Sequence, residues 1–438
     1  LTSLATDDDP LRCMAGDAPD AEYLAALDPA TDVTAMALAR IRQLSAHEVG
    51  HTLGFSHNFA ASTYGRASVM DYPSPMARIV DGKIDMSDAY GVGVGPFDVF
   101  AVKYAYGQFA PGTNDAAALA ALVDEATSRG MLYISDTDAR PPGAAHPLAS
   151  LWDNGTDPVE SLKHEIAVRA IAMRGFDVTH IPEGRSLSFL EQQFLPLYFH
   201  HRYQVQATVK SVGGQYYSYA VRKGGAPVPE STRIVPPDVQ RAALDALLTT
   251  LTPDVLVVPD RILALLQPRT DAFGGFNTEL FPRRTGLTFD PASAASIAAD
   301  MTIAGLLNPE RAARIVEFHA RDAKQLQLRD VINAIGRAVR GDMSRESTTA
   351  LAQRAAQSVF VMRLMDLGVN ENASSDVRSI AQRAVAGLPM MLFPEGQATP
   401  EWVAHKVAVQ RDVERYAQRP YSPYTPQKPL ATPAGDPI

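Results

Sequence analysis

Apolar positions along the chain recur mostly at helical spacing. Val33, Ala37, Ile41 and Leu44 form one stripe, with Thr31 or Asp32 placed to cap its start and Gly54 to end it, which predicts a helix from about Asp32 to Leu53. A second helix is predicted over Pro96–Tyr106: proline opens it, Phe97, Ala101 and Tyr104 share a face, and Gly107 stops it. Further helical patterns cover about 111–130, 158–175, 186–212, 236–251, 259–267, 291–305, 308–322, 328–340, 344–367, 373–387 and 399–417. Only Gln215–Val221, aromatic and β-branched, reads as a short strand. Gly65, Pro73 and Pro75 break the stretch from Asn58 to Val80, and Pro141 to Pro158 reads as a loop containing Trp152. Residues 1–30 are acidic and turn-rich, and 420–438 form a proline-rich tail. The pattern predicts a mainly α (α+β) fold.

Composition narrows this picture modestly. A chain of 438 residues has room for two or three cores, and 46 % apolar with 20 % charged residues is ordinary for a globular protein. The net charge of −9 leaves no basic excess for phosphates, so no nucleic-acid partner is expected. No apolar run approaches the roughly 18 residues of a membrane span. The single cysteine, Cys13, cannot form an internal disulfide and reads as a small, partly buried residue.

The chemistry concentrates in Ala46-His47-Glu48-Val49-Gly50-His51-Thr52-Leu53-Gly54-Phe55-Ser56-His57. His47 and His51 are four apart, one turn above each other on a helix, so both imidazoles can reach one Zn²⁺. Gly54 accepts a left-handed turn, which can bring His57 back as the third ligand. Three protein ligands leave a fourth position for water, the arrangement of a catalytic site, and Glu48 beside them can act as general base. The other histidines, at 146, 164, 180, 200, 201, 319 and 405, lack such spacing and read as packing or surface residues.

The long zinc motif is followed by Ser68-Val69-Met70-Asp71-Tyr72, and together they resemble the metzincin clan of zinc peptidases. The resemblance implies that Met70 forms an apolar floor under the metal and that Tyr72 stabilises the oxyanion, as in the astacin and serralysin branches. It further implies that Pro96–Tyr106 is the closing helix of the catalytic domain and that Asp98 holds the methionine turn through backbone hydrogen bonds. Asn58 departs from the acidic, serine or proline residue of the better-known branches. With its long helical extension the chain is similar to large bacterial zinc-dependent metalloproteases.

From this resemblance we expect the C-terminal part of a metzincin catalytic domain over 1–110, a mostly helical extension over 111–419, and a tail over 420–438. Only 46 residues precede His47, so a longer parent protein with an upstream sheet and export signal is expected, secreted or periplasmic. The implied activity is a zinc metalloendopeptidase that hydrolyses protein or peptide substrates through a zinc-bound water, with one catalytic ion. The alternatives are a non-catalytic, zinc-supported binding module and another class of zinc hydrolase. Retention of Glu48 weighs against the first, and Gly54, His57 and Met70 against the second.

Overall fold

The computed structural model describes residues 31–222, 231–268 and 280–418. The readings of Cys13, the acidic first thirty residues and the proline-rich tail lie outside them. The described chain is mainly helical, with two small two-stranded sheets, and it divides into two compact units.

The first unit takes in residues 31–175 and the segment around 215–233. Helix α1 (Val33–Thr52) starts where the Asp32 carboxylate accepts the Ala35 amide at 2.9 Å. It ends in a Schellman turn, with Gly54 at φ +86° and amide bonds from Gly54 to His51 and from Phe55 to Gly50. Its inward face is not the expected apolar stripe. Met36, Gln43, His47 and Gly50 are buried, whereas Val33 and Ile41 are 50 % and 58 % exposed. The face is set by the histidines and by the methionine turn they pack on, and the stripe lies to one side of it.

After α1 the chain is irregular as far as a short hairpin, β1 (Arg78–Val80) and β2 (Lys83–Asp85), antiparallel with Ile79 opposite Ile84. Asp81 and Gly82 both have positive φ, the requirement of a tight hairpin turn; the Asp-Gly pair was a legible signal for it. Helix α2 (Pro96–Tyr106) has the expected limits. Next come α3 (Asp115–Ser128), the single turn α4 (Asp136–Ala139) and α5 (Pro158–Gly175). The boundary expected near residue 110 falls inside this unit, because residues 132–152 supply part of the core around the histidines. Phe59, Ala60, Tyr72, Ile134, Ala139 and Ala149 form that core, joined by backbone bonds Phe59 N to Ile134 O, Ser150 N to Phe59 O and Trp152 N to Tyr72 O. Strand β3 (Gln215–Tyr217) pairs with β4 (Thr232–Ile234) and is shorter than the stretch expected to 221.

The second unit comprises residues 176–214 and, from 234 onward, the remaining helices. The helix expected over 186–212 is broken into α6 (Leu190–Tyr198) and α7 (Arg202–Val209). Pro196 lies inside α6 and withholds an amide from its ladder, and the helix ends two residues later. Of the helices that follow, Pro291–Leu306, Thr348–Val369 and Ser375–Ala386 build the centre. A bidentate ion pair between Arg363 and Asp300 (2.6 and 2.5 Å) ties the first two of these together. Among the described residues no single helix is long and apolar enough to cross a membrane.

Candidate metal centre

Helix α1 presents His47 and His51 one turn apart, and the Schellman turn returns the chain so that His57 faces them. One ring nitrogen from each lies within 4.8 Å of the other two, and among the described residues this is the only such cluster of histidine, cysteine or carboxylate groups. The Nε2 atoms of His47 and His51 are 2.9 Å apart, and His57 Nε2 is buried without a hydrogen-bond partner.

Each Nδ1 is engaged on the far side. His47 Nδ1 meets the Val69 carbonyl at 2.6 Å, and His51 Nδ1 meets the Phe55 carbonyl at 3.0 Å. His57 Nδ1 lies 3.0 Å from both carboxylate oxygens of Asp136. Acceptors at all three Nδ1 atoms place the proton there and leave the Nε2 lone pairs to converge, which is how metal-binding imidazoles are oriented. Burial, helped by neighbouring His51 and His57, pushes His47 down to about 3 despite its bond to Val69, so the ring is neutral and free to donate. Three imidazoles with each Nδ1 engaged, the opposite nitrogens converging and one of those buried without a partner fit Zn²⁺.

Glu48 follows His47 on α1, and one of its carboxylate oxygens is buried with no hydrogen-bond partner. The methionine turn packs against α1 directly. An alanine Cβ at Gly50 would fall 2.2 Å from Met70 Sδ, so glycine is what lets the sulfur pass under the helix between the two histidine turns. Asp98, buried at the start of α2, accepts the Ser68 hydroxyl (2.6 Å) and the amides of Val69 (2.9 Å) and Gly95 (2.7 Å). Asp71 accepts the Ser62 and Tyr72 amides, and its carboxyl is pushed well above the usual range by burial and by neighbouring Asp153.

Tyr72 is buried, with its ring 5.1 Å from that of His47 and 4.7 Å from that of His57. It also stacks on Trp152, with ring centroids 4.7 Å apart and an interplanar angle of 14°. Trp152 adopts φ +61°, a left-handed conformation costing a bulky residue roughly 1–2 kcal/mol. The stacking and the amide bond to Tyr72 O (2.7 Å) hold it there. A pocket of about 140 Å³ opens beside Val69 and Asp71, with Gln43, Met76, Tyr90 and Asn154 among its walls.

Two residues near the histidines gave no signal in the sequence. Burial alone would raise the Asp136 carboxyl, but hydrogen bonds from His57 and Arg140 outweigh it and hold it below the usual carboxylate range. Arg140 bonds Asp136 through Nε at 2.6 Å, and its guanidinium carbon sits 5.2 Å over the Phe59 ring and 5.6 Å over that of Tyr72. Asn58, the departure noted in the motif, is fully buried and uses both ends of its amide. Nδ2 donates to Tyr64 Oη and Leu132 O (3.0 Å each), while Oδ1 accepts the amides of Ala60 (3.3 Å) and Ile134 (3.2 Å). An acid, serine or proline could not make this set of bonds. The isolated histidines have local partners instead: His146 meets Tyr217 O, His164 meets Ala77 O, and His405 meets Gln357.

A family profile described as Met-zincin matches residues 30–346, well over half of the chain. No curated protein and no solved structure matches the chain.

Proposed function

The chain belongs to the Met-zincin family, and from that premise we propose that it is a zinc-dependent endopeptidase acting on proteins or peptides. The observation that carries the reading is the pairing of three converging imidazoles with a buried, unpartnered Glu48 oxygen. His47, His51 and His57 would hold the ion. When bound, zinc supplies a Lewis acid that polarises a carbonyl and lowers the pKa of water toward about 7.

Glu48 takes a proton from the attacking water as its oxygen bonds to the scissile carbonyl carbon. It then passes that proton to the leaving amine as the C–N bond breaks. The Tyr72 hydroxyl donates to the carbonyl oxygen as negative charge develops there, and does not ligate the metal. Support for that role is its ring's position against two of the three imidazoles. Met70 and Asp98 hold the floor, and Gly54 the turn. The 140 Å³ pocket beside Val69 offers room for a substrate side chain. Placement outside the cytosol belongs to the same proposal and is supported by the resemblance to exported bacterial metalloproteases.

The test measures zinc content and peptide cleavage in the wild type and in Glu48→Ala. We expect both proteins to bind one zinc and only the wild type to cleave. Cleavage at a near wild-type rate by zinc-loaded Glu48→Ala would refute the general-base role. A wild type that binds zinc but cleaves nothing would favour a zinc-supported binding module.

A further inference from the structure

We propose that Asp136, clamped by Arg140, is the positioning residue of the third ligand, His57. The proposal rests on the reading of His47, His51 and His57 as a zinc site. His47 and His51 are oriented by α1 itself, and their Nδ1 atoms meet backbone carbonyls. His57 has no helix behind it, since it follows the Gly54 turn on irregular chain. Its imidazole is the one of the three backed by a charged group, supplied from 79 residues further along.

Both carboxylate oxygens stand 3.0 Å from His57 Nδ1, on the ring edge away from the free Nε2. Asp136 is therefore placed to hold a ligand, not to be one. An acidic acceptor there fixes the Nδ1–H tautomer, aims the Nε2 lone pair at the other two rings, and makes it a stronger donor.

The carboxylate is itself immobilised. Arg140 Nε (2.6 Å) and Ser135 Oγ (3.0 Å) both donate to it. The Arg140 guanidinium lies over Phe59 and Tyr72, and those two rings pack against the His57 imidazole at 5.0 and 4.7 Å. Ile134, two residues before Asp136, is pinned to the ligand loop through Phe59 N to Ile134 O (2.9 Å) and Ile134 N to Asn58 Oδ1 (3.2 Å). The carboxylate thus arrives in register with the histidine it serves.

Zinc affinity of the full chain, measured by competition with a chromophoric chelator, tests this together with melting curves taken with and without zinc. The set comprises the wild type, Asp136→Ala, Asp136→Asn and the nearby control Asp138→Asn, whose carboxylate accepts Tyr219 Oη instead. We expect Asp136→Ala to weaken zinc binding about 10–100-fold, the usual effect of removing such a partner. Asp136→Asn should lose less, because its amide oxygen still accepts one bond; it carries the test if the alanine variant does not fold. The rise in Tm on adding zinc should shrink in both variants and stay at the wild-type value in Asp138→Asn. Asp136 variants that melt earlier without zinc, yet keep wild-type affinity and the full zinc-induced rise, would assign Asp136 a structural role only and overturn the proposal. A wild type that takes up no zinc would overturn the metal site itself, and this proposal with it.

Discussion

Asn58→Asp should destabilise the metal-free protein strongly at neutral pH and only mildly in acid. The asparagine is fully buried, and its Nδ2 supplies hydrogen bonds to Leu132 O and Tyr64 Oη. Tyr64 Oη also donates to Leu132 O, at 2.9 Å. An ionised carboxylate in the same place would set an oxygen against the Leu132 carbonyl. If the Tyr64 hydroxyl turned to meet it, the carbonyl would lose both donors. The cheaper state keeps the introduced carboxyl protonated and donating to Leu132 O. That state forfeits one hydrogen bond, at about 1 kcal/mol.

Holding the proton at pH 7, against an ordinary value of about 3.9, costs roughly a further 4 kcal/mol at 1.36 kcal/mol per unit. The total deficit is about 5 kcal/mol at pH 7. The sign follows from linkage. The folded-state pKa of the introduced acid is raised, so between about pH 4 and that value the unfolded state binds fewer protons than the folded one, and the deficit shrinks as pH falls. Near pH 4 it should be about 1 kcal/mol, the hydrogen-bond loss alone. Urea unfolding in chelator, followed by tryptophan fluorescence with Trp152 reporting from the same unit, measures the difference from wild type at each pH. A deficit below about 1 kcal/mol at pH 7, or one that does not change between pH 7 and 4.5, would show that the amide donors at position 58 do not carry the loop.

Three other outcomes are expected. His57→Ala should lose most of its zinc affinity, since two imidazoles on one helix cannot complete the ligand set; unchanged occupancy by metal analysis would remove His57 from it. Tyr72→Phe should keep zinc affinity and KM while kcat falls, by up to about 10²–10³ for a lost oxyanion donor. A wild-type kcat per folded molecule would leave Tyr72 as packing only. Gly50→Ala should destabilise by up to about 2 kcal/mol, because forcing a Cβ against Met70 Sδ costs about 1–3 kcal/mol and alanine's helix propensity returns roughly 1. A net gain in thermal stability would mean that the sulfur moves aside freely.

The sequence by itself determined the local parts of the site. Helix α1 has an Asp32 cap and ends at Gly54 as its pattern implied, because capping and the left-handed C′ position act within a single turn of chain. The four-residue spacing put His47 and His51 on one face for the same reason, and α2 kept its limits from Pro96 to Tyr106. Tertiary structure decided what backs these residues. Asp136 lies in Ser135-Asp136-Thr137-Asp138, which looks like any helix start, and its approach to His57 depends on how residues 132–152 fold over the ligand loop. Asn58 stood out in the motif only as a departure; its partners at Leu132 and Ile134 explain it. The same folding carries the first unit past residue 110 to Gly175. It also turns α1 so that Val33 and Ile41 face outward, since an amphipathic pattern names a stripe but the partner beneath it chooses which face is buried.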